Sequence, residues 1–351
     1  MTQDIDIVHH NNSFTKAFIK IGFGVILFVL CFCANASGNT PPQLDSPLTV
    51  RSEFIRFLTP PGSDDDFLRP AAVRCDAASG EVLVADPGHN RVLIFDESGT
   101  FKFSFSGGDS FTTPVDLAVD SDGFILILAT IDSRRRLLRC DFDGKFIGVI
   151  PLDYEIDGEP LDYFSVDLAS GNRIVLGERS RREIHVCDGE GTLISVFPVL
   201  KDLDPDAVRQ LGLGDISVHA DRIFAPLPTL GTVRVFDLCG KYLRSFGRKG
   251  DSTGELAFPV AAEETDSGMV IVLDKNRYMV CCYGPDGRFV GEFGGKGISP
   301  GWFFFPSLLA LDGSGQVYIG QIFNNRVQVC TVPESFRRRA EVGSADSTEE
   351  G

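Results

Sequence analysis

Several things are scarce in this chain, and each scarcity excludes a class of protein. Only 5 of its 351 residues are His and only one is Trp. No CxxCH occurs, so covalent c-type haem attachment is excluded, and no P-loop, dinucleotide fingerprint or Ser/His/Asp set stands out. Positive charge is in deficit: 33 Lys and Arg against 49 Asp and Glu leave a formal net charge of −16. A phosphate backbone repels such a surface, which argues against general nucleic-acid binding. Long apolar runs are missing too. The longest, Ile21 to Cys33, has 13 residues, short of the ~20 that span a bilayer as a helix.

That run has the layout of an export signal. Lys16 and Lys20 precede it, and Ala34 and Ala36 follow at the spacing of a signal-peptidase site. Residues 1–36 are therefore read as a signal peptide, with an uncleaved N-terminal anchor as the alternative because the leader is long and carries Asp4 and Asp6. Residues 37–47 follow as a linker. The expected location is periplasmic or extracellular.

What is abundant is Phe (29) and Gly (37), with only 3 Met, a mixture that suits strands and tight turns better than helices. Six segments share a pattern in which an aromatic or Leu stands three residues before a Pro or its substitute. They end at Pro70, Pro114, Phe164, Gly214, Pro259 and Pro306, at spacings of 44, 50, 50, 45 and 47 residues. A period of that length marks stacked supersecondary units. Each unit carries a short strand, a dense apolar strand such as VLVA (82–85), a third such as RVLIFD (91–96), and a fourth such as TFKFSF (100–105). Four antiparallel strands per unit make a propeller blade.

The sixth unit stops near Phe336 after three strands, whereas EFIRFL (53–58) stands alone at the other end. The expected fold is all-β, a six-bladed β-propeller over residues 48–336 whose last blade is closed by the N-terminal strand, which removes the open edge. Residues 337–351 read as a disordered tail, and DPDAVRQLG (204–212) as one local helix.

The residues Asp86 with PGHNRV, Lys275-Asn276-Arg277, FNNRV (323–327) and the joints FGRKGDSTGELAFP (246–259) and FGGKGISPGWFFFP (293–306) resemble the NHL-repeat family. The resemblance implies a six-bladed propeller. Some NHL-like propellers are zinc lyases with several His converging on the central channel. Here His89, His185 and His219 occupy unmatched blade positions, so no metal or other cofactor is expected. Propeller lactonases hold calcium through scattered channel carboxylates. Glu178 is the one such candidate, read preferentially as a solvated turn carboxylate. DSDG (120–123), DFDG (141–144) and GPDG (284–287) lack the ligand spacing of a calcium loop and read as hairpin turns.

Cys140, Cys187 and Cys330 fall in the slot held by Phe95 in the first blade, and Cys281, in RYMVC (277–281) read as the third strand of the fifth blade, joins them if the Arg-to-aromatic spacing sets the register. Equivalent slots in different blades are too far apart for disulfides, so these are read as small buried apolar residues.

The unusual local signal is arginine. Arg134, Arg135, Arg181 and Arg182 stand in the loops joining the second and third strands of two neighbouring blades. They are the expected partner-binding residues, facing a protein or an anionic cell-envelope ligand. The functional expectation is a non-catalytic binding scaffold, with a metal-dependent hydrolase or lyase using the channel as the alternative.

Overall fold

The computed structural model describes residues 48–49, 52–62, 66–152, 161–203 and 210–332. Six separate sheets form the blades. The first holds β3 (Ala72–Cys75), β4 (Val82–Asp86), β5 (Arg91–Phe95) and β6 (Phe101–Ser106), and the second β7 (Thr112–Val119), β8 (Ile125–Ile131), β9 (Arg134–Cys140) and β10 (Phe146–Ile150). The third holds β11 (Tyr163–Ala169), β12 (Arg173–Glu178), β13 (Glu183–Cys187) and β14 (Leu193–Pro198). The fourth holds β15 (Ser217–His219), β16 (Arg222–Leu227), β17 (Thr232–Asp237) and β18 (Tyr242–Phe246). The fifth holds β19 (Pro259–Glu264), β20 (Val270–Asp274), β21 (Met279–Tyr283) and β22 (Phe289–Gly294). The sixth consists of β23 (Pro306–Leu311), β24 (Gln316–Gln321), β25 (Arg326–Thr331) and, from the other end of the chain, β2 (Phe54–Leu58).

The closure expected from the missing strand is present. β2 pairs antiparallel with β25, from Phe54 opposite Cys330 to Leu58 opposite Val327. The inner strands touch in succession and β23 touches β3, which completes the ring.

Strand composition explains the packing. The second strand of each blade is covered on both faces, and all five residues of β4 are buried. The fourth strand of the first blade alternates instead: Phe101, Phe103 and Phe105 turn inward while Lys102, Ser104 and Ser106 are exposed. Six apolar clusters result, each filled by facing residues of two successive blades. No blade has a core of its own, so the blades depend on their neighbours and on the closing strand.

Two expectations need correction and three lie outside the described residues. A strand not foreseen, β1 (Leu48–Thr49), pairs parallel with the outer strand β22, so the fifth sheet has five strands. The third strand of the fifth blade begins at Met279, not Arg277, and Tyr283 occupies the slot of Phe95. Cys281 therefore sits two residues away from that slot, opposite Val272. The reason is that Arg277 belongs to the preceding turn, where Asp274 accepts its backbone N–H at 3.0 Å. The helix expected over 204–212 falls largely outside the described residues, as do the N-terminal signal and the C-terminal tail.

Candidate functional site

The central channel is built by the inner strands, whose alternate residues share one face. Strand register puts Ala72, Asp116, Ser165, Ala261 and Leu308 at one level, with Asp215 entering just before β15. Arg74, Ala118, Asp167, Ser217, Glu263 and Ala310 form the next level. Each level is mostly small or polar, as a narrow axis requires.

Arg74 organises this space. Its Nη1 and Nη2 donate to the two oxygens of Asp215 at 3.0 and 3.1 Å, and Nη2 also lies 2.8 Å from Asp116 Oδ1. The Ser165 hydroxyl donates to Asp215 Oδ1 at 2.7 Å. Backbone N–H groups of Leu117 and Val166 donate to Asp116, and those of Leu168 and Val218 to Asp167. The network thus ties the first four blades together through their innermost strands.

Its charge is unbalanced: one guanidinium faces Asp116, Asp167, Asp215 and Glu263. Burial pushes the Asp116 carboxyl up to about 7, against the opposing pull of Arg74. Burial likewise raises Asp167 to about 6 and Glu263 well above the carboxylate range. Burial opposes the charge on Arg74, but Asp116 and Asp215 outweigh it and hold the guanidinium firmly protonated. Among the described residues no three His, Cys, Asp or Glu side chains stand where they could share a metal ion. The guanidinium itself fills the space between Asp116 and Asp215.

The histidines do not converge. His89 Nδ1 lies 2.8 Å from Asp86, and His219 Nε2 is 3.7 Å from Asp266. His185 is fully buried between the Tyr163 hydroxyl (2.9 Å) and Glu183 (3.3 Å), and burial lowers its pKa.

Glu178 is not a solvated turn carboxylate. It is buried at the end of β12, where it accepts the backbone N–H of Asp162 at 3.1 Å and of Arg181 at 2.6 Å. Asp86, Asp274 and Gln321 occupy the same position in the first, fifth and sixth blades and accept the N–H groups of Leu68, Ala257 and Phe304. In these four blades the slot pins the joint that enters the blade. The acidic turns also spend their oxygens on backbone: Asp120 Oδ1 accepts from Asp122 and Phe124, and Asp141 Oδ1 from Asp143 and Lys145.

The four arginines of the expected binding patch share one face, on neighbouring blades, in unequal surroundings. Arg134 and Arg135 open β9 instead of standing in the loop before it, and Arg134 is exposed beside the tight turn at Asp132 and Ser133. Arg135 donates to the carbonyl of Tyr163 at 3.0 Å and to Asp162 at 3.2 Å, and Arg179 approaches Asp162 to 4.0 Å. Arg182 Nε donates to the carbonyl of Leu211 at 2.9 Å. Arg181 is partly buried, with its backbone held by Glu178. Arg135 and Arg182 thus help join blades.

The channel network escaped the reading of the sequence, although a signal exists. Charged residues interrupt small or apolar stretches of the inner strands, singly as Arg74 in AVRC, Asp116 in VDLAV and Asp167 in VDLA, or paired as Glu263 with Glu264 in AAEE.

No family model matches the chain. A stretch of 56 residues is 41% identical to RING finger protein nhl-1 of Caenorhabditis elegans, covering 16% of this chain and 6% of that protein. The chain therefore corresponds to a small fraction of that relative. Among solved structures, a protein of unknown function from Bacteroides thetaiotaomicron superposes with a TM-score of 0.58 at 14% identity, over 77% of this chain and 71% of the other. A streptogramin B lyase superposes at 0.54 and 13% identity, over 79% and 97%. A catalytically inactive variant of virginiamycin B lyase from Staphylococcus aureus, with quinupristin, gives 0.54 and 14%, over 77% and 83%. At such identities the likeness establishes the propeller fold and nothing about chemistry.

Proposed function

We propose that this chain is an exported NHL-type propeller acting as a non-catalytic binding platform. It takes a protein or an anionic envelope ligand over the face that carries the loops between second and third strands. The observation that carries this reading is the position of Arg74. The channel, where a propeller enzyme keeps its reacting groups, is here cross-braced by a guanidinium held by two carboxylates. A metal-dependent lyase or hydrolase would need that brace to move aside. Export draws on the apolar run and small-residue site of residues 21–36. The NHL assignment draws on the joint motifs and on the partial match to nhl-1.

Metal analysis of the purified full chain separates the two classes. Sub-stoichiometric metal before and after incubation with zinc, calcium and magnesium salts is expected of a platform. A stoichiometric ion lost in D116N or D215N would refute it. The face is tested by partner capture from the envelope fraction, which should weaken and lose its salt dependence in R134S/R135S/R181S/R182S. Unchanged salt-sensitive capture would remove these arginines from the contact.

A further inference from the structure

The joints entering the fifth and sixth blades are copies of one another. The bridge between Lys249 and Leu256 recurs between Lys296 and Phe303. Side chains at matching positions can therefore be compared directly. The fifth blade carries Arg248 paired with Glu255, the exposed Asp251, and the exposed Asn276 in its adjoining turn. The sixth carries Gly295, Trp302, Ile298 and Phe323 in those places. Ile298, Phe323 and Trp302 are 69%, 65% and 50% exposed. The fold accepts a charged or polar residue at each position, so burial in the core does not account for the apolar residues.

Phe323 belongs to an aromatic cluster that includes Phe304 and Phe305 of the same joint that carries Ile298 and Trp302. Phe323 meets Phe305 edge-on at 5.5 Å, and Phe305 meets both Phe304 and Tyr278. Trp302 lies against Gly295, where a Cβ would come within 2.6 Å of its ring. The Arg of the fifth blade could not stand there without displacing the Trp. Lys296 extends over the Tyr278 ring at 5.5 Å, and Lys275 opens the turn that carries Tyr278. Among the described residues neither lysine has a carboxylate within ion-pairing distance, in a chain of net charge −16.

We propose that this surface binds an acidic peptide segment of a partner protein. Large apolar side chains of the segment rest on Trp302, Ile298 and Phe323, and its carboxylates meet Lys275 and Lys296. Exposed aromatics flanked by unpaired cations fit that chemistry. An anionic bilayer offers similar groups, but it would confront the net charge of the whole molecule, whereas a peptide meets only the patch. The proposal rests on the binding-platform reading and deepens it. It places the contact on the blades opposite the arginine loops of the second and third.

Selection of random dodecapeptides displayed on phage against the full chain tests it. The enriched pool should combine Asp and Glu with Trp, Phe or Leu. Binding should fall about tenfold or more in I298D/W302E/F323N, a loss typical of removing central aromatic anchors. That variant installs the residues the fifth blade already uses, and its melting profile checks its folding. In K275E/K296E the preference should turn toward Lys and Arg, an independent readout should the triple variant fail to fold. R134S/R135S/R181S/R182S should retain the selected peptides. A pool without acidic excess, or one held equally by the triple variant, overturns this assignment while leaving a platform in place. Failure to enrich any peptide counts against the platform itself. Co-sedimentation with phosphatidylcholine–phosphatidylglycerol vesicles that disappears in the triple variant would replace the peptide with a bilayer.

Discussion

Arg74 of the first blade and Asp215 of the fourth are joined by two parallel hydrogen bonds, at 3.0 and 3.1 Å, across the axis of the ring. In a six-membered ring these blades are diametrically opposite, so one side chain braces the full width of the channel. Its side chain is 11% exposed and that of Asp215 is 25% exposed. Removing one partner leaves the other poorly solvated and uncompensated. R74M should therefore destabilise the propeller by ~3 kcal/mol, the order found when a buried pair is broken. Urea unfolding checks this, and R74M/D116N/D215N should recover part of the loss because neither carboxylate that pairs directly with Arg74 is left as an unpaired charge.

The acid response follows from the same carboxylates. Asp116 titrates near 7 and Asp167 near 6 in the fold, both above the ordinary 3.8. The folded state therefore holds more protons than the unfolded chain between those values. Stability is lowest above the folded pKa values and is gained as the pH falls through about 7 towards about 4. His185 works in the opposite direction, since its lowered pKa means that the unfolded chain protonates first. Thermal melts at stepped pH should show a higher midpoint near pH ~5 than near ~8. D116N should flatten that rise; a rise of wild-type size in D116N would assign it to other groups.

Ring closure depends on a strand far away in sequence. Deleting residues 48–60 removes β2, exposing the edge of β25 and stripping Leu58 from the cluster shared by the sixth and first blades. Loss of cooperative unfolding is expected, read by calorimetry. A truncated chain that melts like the full one would show that the last blade stands without it.

Thiol chemistry should be confined to the surface. Burial raises Cys140 and Cys330 to about 11 and Cys281 well above the ordinary range, whereas Cys239 is exposed in a turn. In the native state a thiol reagent should label Cys239 first. Cys75, Cys140, Cys281, Cys282 and Cys330 should all react after unfolding without reductant. Thiols that stay silent in denaturant would reveal bridges absent from the fold described.

The sequence by itself determined the blade count, the four strands per blade and the closure by residues 53–58. Those features rest on local period, on turn residues and on one missing strand, all of which are written consecutively along the chain. It also singled out the two arginine runs, because a run of like charge is visible without a fold, but it set Arg134 and Arg135 in a loop whereas they open β9. Only the tertiary structure decided what the isolated polar residues do. Arg74, Asp116 and Asp215 lie up to 141 residues apart and meet because six inner strands converge on one axis. Glu178 reads as an ordinary turn carboxylate until its burial and its two backbone donors are seen. The third strand of the fifth blade was misplaced by two residues for a related reason. Arg277 resembles a strand opener in sequence, but Asp274 captures its backbone N–H and the strand starts only at Met279. Periodicity reports which face a residue occupies; the partner across the channel is set by the closure of the ring.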